Sequence, residues 1–211
     1  MESNIQTVTI SFFRFDGIFP KLWAFTQMGF ARRKLRKIDP IIFFKLFGSG
    51  TGEGFTPYPN TSVYAILGVW ENSAVAERVI RSEPIFSKYK KISTENWTVF
   101  LTPISSRGQW DRCNPFEPIS ELHSNEVKND LLAALTRASI KPSILFSFWS
   151  KVPAISKMIG QNENVVFKMG LGEMPWFHQV TFSIWPNAES MSEFARKDGP
   201  HAKAIKSVRE G

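Results

Sequence analysis

The sequence predicts an α+β fold in which one chain carries the same strand-and-helix unit twice. Three observations predict it. First, NTSVYAILGVWENSAV (Asn60–Val75) and WFHQVTFSIWPNAESM (Trp176–Met191) are both strand-like runs that end in Trp. Each breaks at an Asn two residues later and passes into a helical pattern. Second, Trp70 and Trp185 stand 115 residues apart, as do Asn72 and Asn187. Arg14 and Arg137, Phe25 and Phe148, and Lys45 and Lys168 stand 123 apart. Third, one length change between the two middle strands, GSGTGEGFTPYPN against GLGEMPW, reconciles the two offsets. A single insertion is what a duplication requires.

The elements follow in order. In the first copy, Val, Ile, Thr and aromatic content predicts strands over Gln6–Arg14, Ile41–Phe47 and Ser62–Trp70, with a closing strand over Asn96–Ile104. Helical spacing predicts helices over Pro20–Lys34 and Ser73–Lys90. The second copy repeats the series as Leu131–Ala138, Pro142–Ile159, Val165–Met169, Gln179–Trp185 and Ala188–Val208, without a closing strand. Strand, helix, strand, strand, helix, strand is the order of a ferredoxin-like unit. Two such units pairing sheet to sheet make an α+β barrel, so tandem repeats predict a pseudo-dimeric barrel within one chain. Residues 1–106 form the first half, a structural partner, and residues 129–211 the second half, which carries the site. Turn residues mark 107–128 as an irregular linker.

Composition narrows the class. Hydrophobic content of 43% with 19 Phe and 7 Trp suits a packed globular interior rather than a disordered tail. The lone Cys113 excludes an internal disulfide and any cysteine-based metal site, and is compatible with a reducing cytoplasm. MESNIQTVTISFF has no basic-then-apolar pattern, so no signal peptide is expected. No apolar run reaches the ~20 residues that span a bilayer. The net charge of +7 gathers partly in Arg32, Arg33, Lys34, Arg36 and Lys37. That cluster reads as a solvated helix end suited to the macrodipole. Its sharper reading is contact with an anionic surface on the inner face of the membrane. No recognition motif accompanies it, so nucleic acid is not an expected partner.

Several motifs fail on inspection. GSGTGEG lacks the third glycine of a dinucleotide fingerprint and the Lys-Ser/Thr of a P-loop, and a strand follows it. It reads as an extended hairpin. Cys113, beside Asp111 and Arg112, reads as an incidental thiol, and His123 in the same linker receives no role. Arg14 and Arg137 end matched strands, and either could contact a substrate or a propionate.

Two histidines distinguish the second copy. In Gln179–Trp185 the residues Val180, Phe182 and Ile184 share one face, and His178 is in phase with them. That apolar face is expected beneath the helices. Met191, Phe194, His201, Ile205 and Val208 recur at helical spacing, with a restart at Asp198-Gly199-Pro200. His178 and His201 are therefore expected to converge on one cleft. Counting from the paired tryptophans, the first copy has Val63 and Phe86 in their places. Two imidazoles without a third ligand make a poor zinc site. One axial imidazole with aromatic walls from Phe148, Trp149, Trp176 and Phe182 suits haem.

TVTISFFRFDG, FKLFGSGTGEGFTPYPNT, NWTVFLTPIS, RGQW, LTRASI, GLGEMPWFHQVTFSIWP and DGPHAKAIKSVREG occur in this order along nearly the whole chain. In these motifs the chain resembles the spheroidene monooxygenase family of carotenoid biosynthesis, whose members continue past VREG with an aromatic, acidic tail. The resemblance implies a b-type haem, O2 and reduced ferredoxin as electron donor. It implies oxidation at C2 of an apolar acyclic carotenoid, giving the 2-hydroxy and then the 2-keto compound. The chain is also similar at fold level to chlorite dismutases and haem-degrading monooxygenases, whose axial histidine comes from a helix on the sheet. That likeness implies His201 as the iron ligand, with His178 as the alternative. His178 and Arg137 are then the expected catalytic groups. A haem or carotenoid carrier without turnover, and a cofactor-free or haem-degrading oxygenase of the same fold, are the other readings.

Overall fold

The computed structural model describes residues 5–52, 56–119, 130–146, 149–150, 165–174 and 176–196. They fall into two compact units, Met1–Gly48 with Asn60–Glu121, and Ser49–Pro59 with Leu122–Gly211. The class is α+β, built on antiparallel strands.

The first unit runs β1 (Thr7–Arg14), α1 (Ile18–Leu35), β2 (Ile41–Gly50), β3 (Pro59–Trp70), α2 (Ser73–Ser82), α3 (Pro84–Ile92) and β4 (Glu95–Leu101). Its strands stand in the order β4-β1-β3-β2. The helix expected over Ser73–Lys90 is two helices. Glu83 takes an extended backbone with ψ 130°, and Pro84 opens α3. The clash of a proline ring with the residue before it explains the break. Asn72 caps α2 by accepting the Val75 N–H at 2.9 Å, and so satisfies a donor the helix leaves open.

Along β1 and the later part of β3 both faces of this sheet are buried. On the helix side Phe13, Phe15, Tyr64, Ile66 and Trp70 pack with Ala76, Val79 and Phe86. The opposite phase holds Val8, Ile10, Phe12, Leu67 and Val69, all buried. Linker residues lie against β2: the Trp110 ring stands 5.7 Å from Phe43 and 6.0 Å from Phe47. Lys45, between those two, bonds Asp111 at 2.6 Å. Gln6 at the sheet margin donates to the Pro115 carbonyl and accepts from the Glu117 N–H.

The second unit contains β5 (Leu132–Ser139), a 3-10 turn (Pro142–Ile144), β6 (Phe167–Met174), β7 (His178–Trp185) and α4 (Ala188–Arg196). Its strand order is β6-β7-β5, the counterpart of β2-β3-β1. Asn187 caps α4 through the Ser190 N–H at 2.8 Å, as Asn72 caps α2.

The pairing registers revise the repeat alignment. Trp70 lies opposite Thr7, and Trp185 opposite Leu132. With the tryptophans matched, the counterpart of Arg14 is Ser139, and that of Arg137 is Phe12. The expected match of the two arginines is therefore out by two residues. The Lys45–Lys168 match also fails. Lys45 lies on the face away from the helices with Phe43 and Phe47, whereas Lys168 lies opposite Ser183, in phase with Trp185.

One pair of positions has exchanged chemistry. In the first unit Thr9 faces Gly68, and Thr9 Oγ1 accepts the Trp70 indole N–H at 2.8 Å. In the second unit Ala134 faces Ser183, and Ser183 Oγ accepts the Trp185 indole N–H at 2.9 Å. The acceptor has crossed from one strand to its neighbour. Gly68 is required where it is, because a Cβ there would stand 2.6 Å from the Trp70 ring.

Candidate functional site

The face of the second unit's sheet that carries His178 is built by strand alternation. His178, Val180, Phe182 and Ile184 on β7 lie opposite Ser139, Arg137, Leu135 and Ala133 on β5. Phe167, Met169 and Leu171 join them from β6. Val180, Phe182 and Leu171 are fully buried, and the Phe182 ring stands 6.0 Å from Phe167. Phe182 is thus part of a closed apolar floor rather than an open wall.

This face is not the one beneath the helix. Trp185, in phase with Gln179, Thr181 and Ser183, meets Phe194 of α4 at 5.1 Å. The expectation that Val180, Phe182 and Ile184 lie under the helix is therefore reversed. Alternation sorts residues into two faces but does not say which face the helices take. Where both phases are covered, apolarity no longer distinguishes them. The premise that His178 and the helix stripe converge falls with it. His201, Phe148 and His123 lie outside the described residues.

At the rim of the floor the side chains become polar. His178, the first residue of β7, is half-buried and lies opposite Ser139 on β5 and Met174 on β6. A register shift between Gly172 and Met174 seats Met174 opposite it. Arg137 is a diagonal neighbour, roughly 7 Å away by strand geometry. Its Nη1 donates to Ser139 Oγ at 3.1 Å, and its Nε stands 3.5 Å from the Glu173 carboxylate. Glu173 is only 11% exposed, so the guanidinium has a partly desolvated counter-charge. Sequence reasoning missed Glu173. Its signal was an acid in the apolar phase of FKMGLGEM, two residues beyond Leu171.

The β6–β7 connection carries Trp176, with a φ of 68° that few non-glycine residues adopt. Its indole N–H donates to the Pro57 carbonyl at 2.9 Å, tying the connection to the Ser49–Pro59 hairpin tip. The Trp176 ring is half-exposed beside the exposed Met174. Trp149 is half-buried, in helical backbone after the 3-10 turn.

Haem asks for an axial ring nitrogen, apolar surface for the porphyrin and cations for its propionates. Among the described residues His178 has no side-chain hydrogen bond. It stands at the edge of the apolar floor with Arg137 beside it. These residues fit the group, although Glu173 offsets the charge that Arg137 would offer a propionate.

No family model matches the chain. The spheroidene monooxygenase of Cereibacter sphaeroides is 48% identical over 206 residues, 97% of this chain and 62% of that protein. The spheroidene monooxygenase of Rhodobacter capsulatus is 45% identical over 206 residues, 98% of this chain and 85% of that protein. Among solved structures, an aldoxime dehydratase in complex with butyraldoxime is similar at a TM-score of 0.56 and 10% identity, over 99% of this chain and 76% of that one. That likeness is one of fold. The two sequence relatives settle the family, and the chain belongs to the spheroidene monooxygenases.

Proposed function

We propose that the chain is a haem-dependent monooxygenase that oxidises C2 of an acyclic, spheroidene-like carotenoid, with O2 and reduced ferredoxin. The observation that carries this reading is identity of 45–48% to two spheroidene monooxygenases across nearly the whole chain. Hydroxylation places one oxygen atom in a C–H bond, and the other leaves as water with two electrons and two protons. A second round at the same carbon gives the ketone after loss of water.

When bound, the b-type haem would supply the oxygen-activating chemistry, and the protein would supply binding, orientation and a dry surface. Val180, Phe182 and Leu171 exclude water beneath the site. Arg137 offers a guanidinium to a propionate, with Glu173 and Ser139 fixing its orientation. On the fold-level likeness, His201 would hold the haem iron, and His178 would hold a proton at its imidazole ring. One observation favours exchanging these roles: His178 shares its face with Arg137 and the apolar floor, and the helix side is the opposite face. The two units are further proposed to form a pseudo-dimeric barrel, which their corresponding strand orders support. Because the substrate is lipid-soluble, the basic residues Arg32 to Lys37 would hold the enzyme at an anionic cytoplasmic membrane surface.

The test is reconstitution with haem followed by turnover with ferredoxin and O2. A Soret band and an oxygenated carotenoid are expected. A band without product would leave a carrier, and product without a band a cofactor-free oxygenase. His178→Ala and His201→Ala, compared by Soret position and by turnover, identify the ligand as the variant that loses the band.

A further inference from the structure

Helix α1 turns an apolar face to solvent. Ile18 is 81% exposed, Phe19 82%, Leu22 58%, Phe25 65% and Phe30 68%. At helical spacing these five share one side, while Ala24, Gln27, Ala31 and Leu35 on the other are buried. An apolar strip roughly 18 Å long results, from 1.5 Å of rise per residue. Its C-terminal continuation is cationic: Arg32, Arg33 and Lys34 occupy the last turn, and Arg36 caps it. Between Gly17 and Ile38 the sequence contains no Asp or Glu and six Lys or Arg.

We infer that α1 docks on an anionic bilayer by inserting this strip into the interface, with the basic end on the lipid phosphates. This rests on the reading of a peripheral membrane position and deepens it, since that reading asks only for surface charge. The charge pattern selects the occupant. A contiguous exposed apolar patch marks an interaction surface, and a strip ending in a run of cations complements negative headgroups. No described helix is long and apolar enough to cross a membrane. Lying in the interface plane with its exposed apolar side down is the form that remains for α1, binding through buried apolar area and attraction to anionic lipid.

Flotation with vesicles of phosphatidylcholine, with and without phosphatidylglycerol, at low and high salt, tests this. The variant is Leu22→Gln/Phe25→Gln/Phe30→Gln, whose positions are exposed and whose new residues keep helix propensity. With its circular dichroism unchanged, it should bind phosphatidylglycerol vesicles about tenfold more weakly or worse at both salt levels. Arg33→Gln/Arg36→Gln should weaken binding chiefly at low salt, where charges are least screened. A Gln variant that binds as the wild type does, with salt sensitivity intact, would overturn insertion and leave the surface-charge reading standing. Failure of the wild type to bind at all would remove both. Wild-type self-association that the Gln variant abolishes, without any change in vesicle binding, would assign the strip to a second copy instead.

Discussion

Thr9 carries the hydrogen bond on which the indole of Trp70 depends, and that indole is fully buried. Thr9→Val keeps the shape and removes the acceptor. The stranded N–H should cost about 1–3 kcal/mol. Gly68→Ala forces a methyl against the same ring and should cost about 1–3 kcal/mol by overpacking. Thr9→Ser should retain most of the stability. Urea unfolding of the three variants checks this, and an unchanged midpoint in Thr9→Val would mean that the indole finds another acceptor. The matched tryptophans were plain in the sequence, and so were the asparagines, which both proved to be helix caps. The migrating hydroxyl was not. It emerges only when the register equates Thr9 with Ala134 and Gly68 with Ser183, and a register depends on long-range pairing that residue spacing does not report.

Among the elements, α3 has a pH-sensitive contact with the sheet. Tyr89 packs between Phe13 at 4.9 Å and Trp23 at 5.0 Å. Burial, with Tyr64 adding to it, pushes its phenol above the ordinary tyrosine range. The native state therefore keeps this proton where the unfolded chain, ionising near pH 10, releases it. The corresponding stability is complete below about pH 10 and is lost as pH climbs toward the native value. Urea midpoints between about pH 9 and 11.5 should fall more steeply for the wild type than for Tyr89→Phe. Equal slopes would show that the phenol ionises freely in the folded protein. Element order in the first unit was legible from composition and spacing. The break at Pro84 was overlooked because the apolar pattern continues through it. The side on which each strand phase packs was not legible, because Val180 and Trp185 are both buried on opposite faces.

For the whole molecule, the corresponding strands do not offer two equivalent sites. Val63 stands where the second unit has His178, and opposite it Arg14 faces Asp16 and Glu95 at 3.6 and 3.8 Å. On the proposed function, haem titration should saturate at one per chain. A second equivalent would contradict that asymmetry. The family and the order of elements along the chain could be reached from the sequence, whereas the Arg137–Glu173 pair required coordinates. Two side chains on different strands become partners only after β5, β7 and β6 align.

The hairpin tip Ser49–Pro59 belongs to the second unit although it lies early in the chain. On a ribosome this matters. The carbonyl of Pro57 is made 119 residues before the Trp176 indole that engages it. At elongation speeds of about 12 residues per second the wait is roughly ten seconds. During that interval the strands on either side of the tip can already pair, while the tip itself lacks its partner. A nascent chain paused before residue 176 should therefore be cut by protease faster at this tip, and completion of the connection should slow the cleavage.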